Sequence, residues 1–117
     1  MKVLQKINGL SSRIVIIILI IIGFIVYGNT FVNEMVWDDY ESIINNKYVH
    51  NWEHVPKYFS ENLTAGSGIS NNYWRPLLLL TFSIDYQIAK LNPFVYHLQN
   101  IIWHILASVL VFILFIL

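Results

Sequence analysis

The sequence predicts an all-α membrane protein segment, in which two transmembrane helices are joined by one loop outside the cytoplasm. Of its 117 residues, 56% are hydrophobic and only 12% are charged, with a mean hydropathy of +0.57. Two long runs, 14–32 and 98–117, carry no formal charge. All seven acidic residues lie between Glu34 and Asp85, outside both runs. This composition is far from that of an ordinary soluble domain.

The first apolar run predicts a transmembrane helix over 14–32. At about 1.5 Å of rise per residue it nearly crosses a hydrocarbon core about 30 Å thick. Lys2, Lys6 and Arg13 precede the run, and no basic residue follows it closely. By the positive-inside rule, residues 1–13 form a cytoplasmic N-terminus. A cleaved signal peptide is the rival interpretation, although the run is long for one and Val26 and Gly28 match an A-x-A cleavage site poorly.

A second transmembrane helix is predicted over 94–117. Its polar side chains suggest that one face packs on protein rather than on lipid. The chain stops inside this apolar run, so we interpret the helix as truncated and the sequence as a fragment of a longer protein. The polar side chains are Gln99, Asn100, His104 and Ser108.

The loop, residues 33–93, carries the acidic pair, a connector and a further helix. The stretch 62–72 is polar and rich in Gly, Ser and Asn, which predicts a flexible connector. A helix is predicted over 76–91, with Pro76 in its first turn. Its apolar core, 77–84, is too short to cross a bilayer and is followed by Asp85 and Lys90, so we expect it to lie in the membrane interface.

Asp38 and Asp39 follow the first predicted span closely, between Trp37 and Tyr40. A carboxylate held at a membrane surface can accept a proton from an attacking hydroxyl, or the pair can hold a cation. The alternative is structural: either acid can be a solvated loop residue, and Asp39 can cap a short helix that runs through Ile44.

Arg75 lies between Trp74 and Pro76, at the start of the predicted interfacial helix. A guanidinium there can bind a phosphate through two parallel hydrogen bonds. The alternative is an ordinary interfacial anchor, in which the side chain only reaches the headgroup layer.

The histidines form two pairs. His50 and His54 are four positions apart, as metal ligands on one helix face can be, but no third ligand is evident apart from Glu53, so we interpret them as surface histidines and predict no metal site. His97 and His104 share a face of the second predicted span. Polar groups in a span usually face the protein interior, so we expect these two to bond to a neighbouring helix.

Composition excludes several classes of protein. The zero net charge gives no basic surface for nucleic acid. Without cysteine there is neither a disulfide nor a thiolate metal site. No cofactor is predicted, and the sequence leaves open whether the acidic pair needs a divalent cation.

An ordered set of short motifs resembles the N-terminus of the transmembrane and tetratricopeptide-repeat (TMTC) O-mannosyltransferases and their bacterial relatives, which belong to the GT-C class of membrane glycosyltransferases. The resemblance covers roughly residues 36–117. The motifs are Trp37-Asp38-Asp39, Arg75-Pro76-Leu77, Asp85-Tyr86, Leu91-Asn92-Pro93, Tyr96-His97, and Asn100 with His104.

The resemblance implies a many-helix membrane fold and transfer of a sugar, with inversion, from a polyprenyl-phosphate donor to an acceptor hydroxyl on protein or glycan. It implies that Asp38 is the catalytic base, that Asp39 is its partner, and that Arg75 contacts the lipid phosphate. A GT-C site is assembled from several loops, so the fragment alone is expected to be inactive. Further spans and tetratricopeptide repeats would belong to the longer parent.

Two other function classes fit the same topology. One is a small two-span scaffold or assembly subunit that binds a partner through the loop. The other is a transporter-like relative that keeps the fold without sugar transfer. The frequent isoleucine, asparagine and lysine are typical of an AT-rich bacterial genome, which predicts the plasma membrane. In a eukaryote the same topology predicts the endoplasmic reticulum membrane.

Overall fold

In a computed structural model, which describes residues 10–117, the chain folds as helices joined by turns. The predicted all-α class is confirmed, and most of the predicted segment 1–13 lies outside the described residues. The α-helices are α1 (Ser12–Tyr27), α2 (Lys47–His50), α3 (Pro76–Ala89) and α4 (Pro93–Ile116). Shorter 3-10 helices lie at Gly28–Val32, Trp52–Phe59 and Ala65–Ser67, and a short π-helix lies at Tyr40–Ile44.

The chain forms two compact units. The span pair consists of the chain up to Asn33 together with His97–Leu117, and the loop unit is Glu34–Tyr96. In the span pair, α1 and its 3-10 extension reach Val32 with a mean hydropathy of 2.6, and α4 has 24 residues with a value of 2.1. Both are long and apolar enough to cross a membrane. Almost none of their residues is buried in the chain, unlike the core helix of a soluble protein, which supports an integral membrane protein.

The two spans approach closely at Gly23. A Cβ atom built on Gly23 would overlap the Ile105 side chain and lie 2.8 Å from its Cδ1 atom. In a bilayer the hydrophobic effect does not drive helices together, and small residues at such positions allow them to associate through close packing. The absence of a side chain at Gly23 therefore sets the packing of α1 against α4.

The loop unit has a hydrophobic core of its own. α3 places Leu79 and Phe82 in this core, while Leu77 and Ile88 on its other side are 68% and 71% exposed. Exposed apolar residues on a helix whose other face is already packed favour the predicted interfacial position. The buried core residues are Met35, Ile43, Val49, Tyr58, Leu63, Leu79, Phe82 and Tyr96.

α3 begins at Pro76, as predicted, and ends at Ala89, two residues before the predicted end at 91. Lys90 adopts a positive φ of 55°, and its N–H donates to the Tyr86 carbonyl at 2.8 Å. The Tyr96 hydroxyl donates to the Lys90 carbonyl at 2.7 Å. These two bonds close the turn between α3 and α4.

The predicted flexible connector is wrong for its first half, because this segment folds into the loop unit. Leu63 and Thr64 are buried. The Leu63 N–H donates to the Tyr73 carbonyl at 2.8 Å, and the Leu63 carbonyl accepts from the buried Asn46 amide at 2.9 Å. A polar composition predicts flexibility only when those polar groups bond to water, and here they bond to each other.

Candidate functional site

The acidic pair lies in a tight turn at the start of the loop unit. Trp37 has a positive φ of 54° and is 88% exposed. Asp39 closes the turn in both directions: its Oδ2 accepts from the Val36 N–H at 3.0 Å, and its own N–H donates to the Val36 carbonyl at 3.1 Å. The predicted capping of the following helix by Asp39 is wrong, because the carboxylate bonds to Val36, three residues earlier, instead. Asp39 therefore shapes the backbone that presents Asp38.

The Asp38 side chain is exposed and forms no hydrogen bond or ion pair with any residue from 10 to 117. It lines a cavity of about 90 Å³ in the loop unit, together with Glu41, Thr64, Asn71 and Tyr73. At about 30 Å³ per liquid water molecule, this volume corresponds to roughly three waters. A carboxylate that has no hydrogen-bond partner in the described chain and lies beside a space of this size can accept a proton from a hydroxyl group.

Local hydrogen bonds connect three other residues that line this cavity, Thr64, Asn71 and Tyr73. The Asn71 amide donates to Thr64 Oγ1 at 2.7 Å, and Thr64 Oγ1 donates to the Ile69 carbonyl at 2.8 Å. Asn71 Oδ1 accepts from the Tyr73 N–H at 2.9 Å. This network fixes the position of Tyr73 relative to Thr64, and both residues line the cavity with Asp38.

Arg75 lies at the N-terminus of α3, and its side chain is exposed. The guanidinium carbon is 5.4 Å from the centroid of the Tyr73 ring, within range of a cation–π contact. In the described part of the chain no carboxylate pairs with this cation. Its charge is thus available to an anion from outside the loop unit.

Arg75 also lines an open, apolar groove of about 680 Å³. Phe59, Trp74 and Leu77 are among its other walls. The Trp74 indole N–H donates to the Phe59 carbonyl at 3.2 Å, which holds two of these walls together. A cation at the edge of an apolar groove suits an amphiphilic ligand with an anionic head.

Tyr73 connects the two predicted site residues, because it lines the cavity of Asp38 and contacts Arg75 with its ring. The loop unit therefore brings a free carboxylate and a free cation to adjoining surfaces. Sequence inspection did not identify Tyr73 as a connecting residue. Its position directly before Trp74 and Arg75 is the signal that could have indicated it.

Asp85 is a further acid, which the sequence analysis noted as part of a motif and as the charge that follows the apolar core of α3. It is 4% exposed on the core side of α3, and its Oδ2 is the one buried side-chain oxygen or nitrogen among residues 10–117 without a hydrogen-bond partner. Burial raises the pKa of the Asp85 carboxyl to about 6. The signal for this burial is an acid inside a helix that is otherwise apolar.

His50 and His54 do not share one helix face, which removes the metal-ligand alternative considered for this pair. α2 ends at His50, and Asn51 has extended backbone angles before the next 3-10 turn. The His50 ring stacks on Tyr86 at 4.2 Å and bonds through Nε2 to the Ile43 carbonyl at 2.9 Å. Within residues 10–117, no three His, Asp or Glu side chains converge on a metal-binding position.

The expected bonding of His97 and His104 to a neighbouring helix is found only in part: His97 bonds to the residue after the 3-10 extension of α1, and within residues 10–117 the His104 ring makes an aromatic contact with α1 but no hydrogen bond. His97 Nε2 is 3.1 Å from the Asn33 carbonyl oxygen. The His104 ring packs against the Tyr27 ring, edge to face, with centroids 4.7 Å apart. Both imidazoles thus contact the first span or the residue that follows its 3-10 extension.

The fold and the loop together define an all-α segment of an integral membrane protein. Its sequence resembles the TMTC protein O-mannosyl-transferases, as its motifs predicted. It is 32% identical over 98 residues to protein O-mannosyl-transferase TMTC3 of Homo sapiens, a match that covers 80% of this chain and 11% of that protein. It is 31% identical over 96 residues to protein O-mannosyl-transferase F38B6.6 of Caenorhabditis elegans, covering 80% and 14%.

A third relative is protein O-mannosyl-transferase Tmtc1 of Drosophila melanogaster, 32% identical over 95 residues, or 78% of this chain and 11% of that protein. The chain therefore spans between a tenth and a seventh of the length of these curated relatives. No family model matches the chain, and no solved structure matches it. The names of the relatives support the predicted glycosyltransferase class.

Proposed function

We propose that this chain is the N-terminal membrane part of a polyprenyl-phosphate-sugar-dependent glycosyltransferase. One observation carries the proposal: within residues 10–117 the Asp38 carboxylate has no hydrogen-bond partner and Arg75 has no carboxylate partner, and both adjoin the same side chain, Tyr73. Transfer of a sugar from a lipid phosphate needs two functions: a base and a group that binds the phosphate.

In the proposed reaction the Asp38 carboxylate accepts the proton of an acceptor hydroxyl. The hydroxyl oxygen attacks the anomeric carbon of the sugar, and the bond from that carbon to the phosphate oxygen breaks. The electron pair leaves with the polyprenyl phosphate. One displacement inverts the anomeric configuration and requires no covalent sugar–enzyme intermediate.

Arg75 stabilises the leaving phosphate as its charge increases, through hydrogen bonds from the guanidinium. The apolar groove beside Arg75 is wide enough to hold part of a polyprenyl chain. Asp39 acts as the partner of Asp38 by keeping the acid turn closed. A divalent cation near Asp38 and Glu41, which line the same cavity, stays an open prediction.

The relatives are named protein O-mannosyl-transferases, which favours mannose or a similar hexose as the sugar and a protein hydroxyl as the acceptor. The loop unit lies outside the cytoplasm in this proposal, facing the donor in the outer leaflet of a bacterial plasma membrane, or in the lumenal leaflet of the endoplasmic reticulum in a eukaryote. The segment by itself is inactive, because other loops of the full-length protein complete the site.

The test is sugar transfer by the full-length protein from a radiolabelled polyprenyl-phosphate hexose. Wild type is compared with Asp38→Asn and with Glu34→Gln, which removes an exposed acid from the same loop outside the cavity. General base catalysis is worth about 10²- to 10⁴-fold, so Asp38→Asn should lose at least about 10²-fold. Glu34→Gln should keep wild-type transfer.

Equal transfer by wild type and Asp38→Asn would refute Asp38 as the base. No transfer by wild type across mannose, glucose and galactose donors would instead favour a scaffold or a transporter-like protein.

A further inference from the structure

Tyr73 carries an aromatic ring whose position is not explained by core packing. The residue is 60% exposed, and its hydroxyl forms no hydrogen bond within residues 10–117. Two other tyrosines of the loop unit, Tyr48 and Tyr86, also contact a lysine ammonium, but both pack against the hydrophobic core. The Tyr73 ring instead contacts the Arg75 guanidinium, whose carbon is 5.4 Å from the ring centroid. At this distance the face of the ring attracts the cation.

The backbone of Tyr73 is anchored to the core of the loop unit. Its N–H donates to Asn71 Oδ1 at 2.9 Å, and its carbonyl accepts from the Leu63 N–H at 2.8 Å. Leu63 is 8% exposed, and its own carbonyl accepts from the amide of Asn46, which is fully buried. An exposed ring on a backbone that is fixed in this way can hold a flexible side chain in one place.

The backbone of Arg75 is anchored as well. Its carbonyl accepts the Leu79 N–H at 3.2 Å in the first turn of α3. Trp74, which separates the ring from the cation in sequence, donates through its indole N–H to the Phe59 carbonyl at 3.2 Å. Trp74, Phe59 and Arg75 all line the apolar groove. The ring and the cation therefore meet at the edge of this groove, on a segment with few ways to move.

A cation–π contact leaves a guanidinium able to bind phosphate. The attraction comes from the positive charge over the ring, and the N–H donors lie in the plane of the guanidinium. A carboxylate partner would occupy two of these donors, and no carboxylate pairs with Arg75 within residues 10–117. A long side chain also loses rotamer freedom when it binds a ligand, and a contact that restricts it beforehand reduces this cost.

We propose that Tyr73 is a positioning residue, whose ring holds the Arg75 guanidinium where it binds the phosphate of the lipid-linked donor. The inference rests on the proposed function and adds to it a residue that acts through Arg75 rather than on the reacting atoms. The alternative is that Tyr73 acts through its hydroxyl or only shapes the cavity of Asp38, and the experiment distinguishes these roles.

The first measurement is binding, which does not require transfer. Full-length protein in detergent is titrated with farnesyl phosphate and with farnesol, which has the same chain without the charge. Tyr73→Leu should weaken binding of farnesyl phosphate about twofold to fivefold, the value of an exposed cation–π contact, and should leave farnesol binding unchanged. Tyr73→Phe keeps the ring and should bind both probes as wild type does.

Tyr40→Leu is the matched control, because Tyr40 is 50% exposed and lines neither the cavity of Asp38 nor the groove of Arg75. It should bind both probes as wild type does. Wild-type affinity for farnesyl phosphate in Tyr73→Leu, or no binding of this probe by wild type, would overturn the inference. An equal loss in Tyr73→Phe, or an equal loss for farnesol, would also overturn it, since the hydroxyl or the lipid chain would then be what Tyr73 serves.

The second measurement is a double-mutant cycle on kcat/KM for the donor. If the ring acts through the guanidinium, Tyr73→Leu should lower kcat/KM in the wild-type background and have little further effect in the Arg75→Gln background. The same fold-change in both backgrounds would show that Tyr73 acts independently of Arg75, against the inference.

The two measurements together separate this inference from the proposed function. Sugar transfer that depends on Arg75 but not on Tyr73 would reject the positioning role alone. Binding of farnesyl phosphate that depends on both residues, in a protein that transfers no sugar, would reject the proposed function and keep the positioning role.

Discussion

The span pair and the loop unit are stabilised in different ways. The apolar windows of the two spans are 0% and 6% buried within the chain, so their apolar side chains need lipid or further helices. The loop unit instead buries a contiguous core, with Val49 and Tyr58 fully inaccessible. Hydrophobic burial away from water stabilises the loop unit directly, whereas the bilayer determines the position of the spans.

Polar groups show the same contrast. In the loop unit, the buried Asn46 and Tyr58 side chains bond to backbone carbonyls, Asn46 to Leu63 and Tyr58 to Tyr48. In the span pair, Asn100 and His104 are left unpaired within residues 10–117. Apart from Asp85 Oδ2, the buried side-chain polar atoms of the described loop unit have hydrogen-bond partners. A ligand or another helix could supply hydrogen-bond partners for Asn100 and His104.

The largest expected difference between the units is the response to core truncation. Leu79, in the loop unit, is 1% exposed, and Leu79→Ala should lower the free energy of opening of this unit by about 2–5 kcal/mol. Ile25 of α1 is 74% exposed, and Ile25→Ala should leave that free energy unchanged. Hydrogen exchange of the Val49 and Phe82 amides in nanodiscs measures both. A similar effect of the two variants would contradict an independent core in the loop unit.

The buried acid of the loop unit predicts a pH dependence. The Asp85 pKa is raised from 3.8 to about 6 in the folded state, so the folded state binds more protons than the unfolded state between these values. Stability of the loop unit should therefore fall as pH rises from about 4 to about 7, by at most about 3 kcal/mol. Asp85→Asn should flatten this dependence in the same exchange experiment. A loop unit that becomes more stable over this pH range would contradict the assignment.

A smaller difference separates two glycines. A Cβ on Gly66 would overlap Asn46 Oδ1 and lie 2.8 Å from Tyr48 Cγ, whereas nothing lies within 4 Å of one on Gly28. Gly66→Ala should destabilise the loop unit by about 1–3 kcal/mol through overpacking, and Gly28→Ala should be neutral. Protease resistance of the loop in intact membranes compares them. Equal resistance of both variants and wild type would show that the Asn46 region repacks freely.

The two apolar spans, the acidic pair and Arg75 were predictable from sequence, because charge and hydropathy change abruptly along the chain at these residues. The structure of the connector was not predictable, since the bonds from Asn46 to Leu63 and from Leu63 to Tyr73 join residues distant in sequence. His50 and His54 do not share a helix face, because their spacing would need a continuous helix and Asn51 interrupts it. The hydrogen bonds from Asp39 to Val36 also needed the structure, since two adjacent acids in a sequence do not show the backbone of the turn that holds them.

The central claim is that the loop unit supplies a base at Asp38 and a phosphate-binding cation at Arg75. Steady-state sugar transfer by the full-length protein, measured with varied donor for Asp38→Asn and Arg75→Gln, tests it most directly. Asp38→Asn should lower kcat by about 10²-fold or more with little change in the donor KM, because a base acts in the transition state. Arg75→Gln should raise the donor KM and lower kcat as well, because the guanidinium binds the phosphate before and during its departure. Wild-type kcat in Asp38→Asn, or a wild-type donor KM and kcat in Arg75→Gln, would contradict the claim.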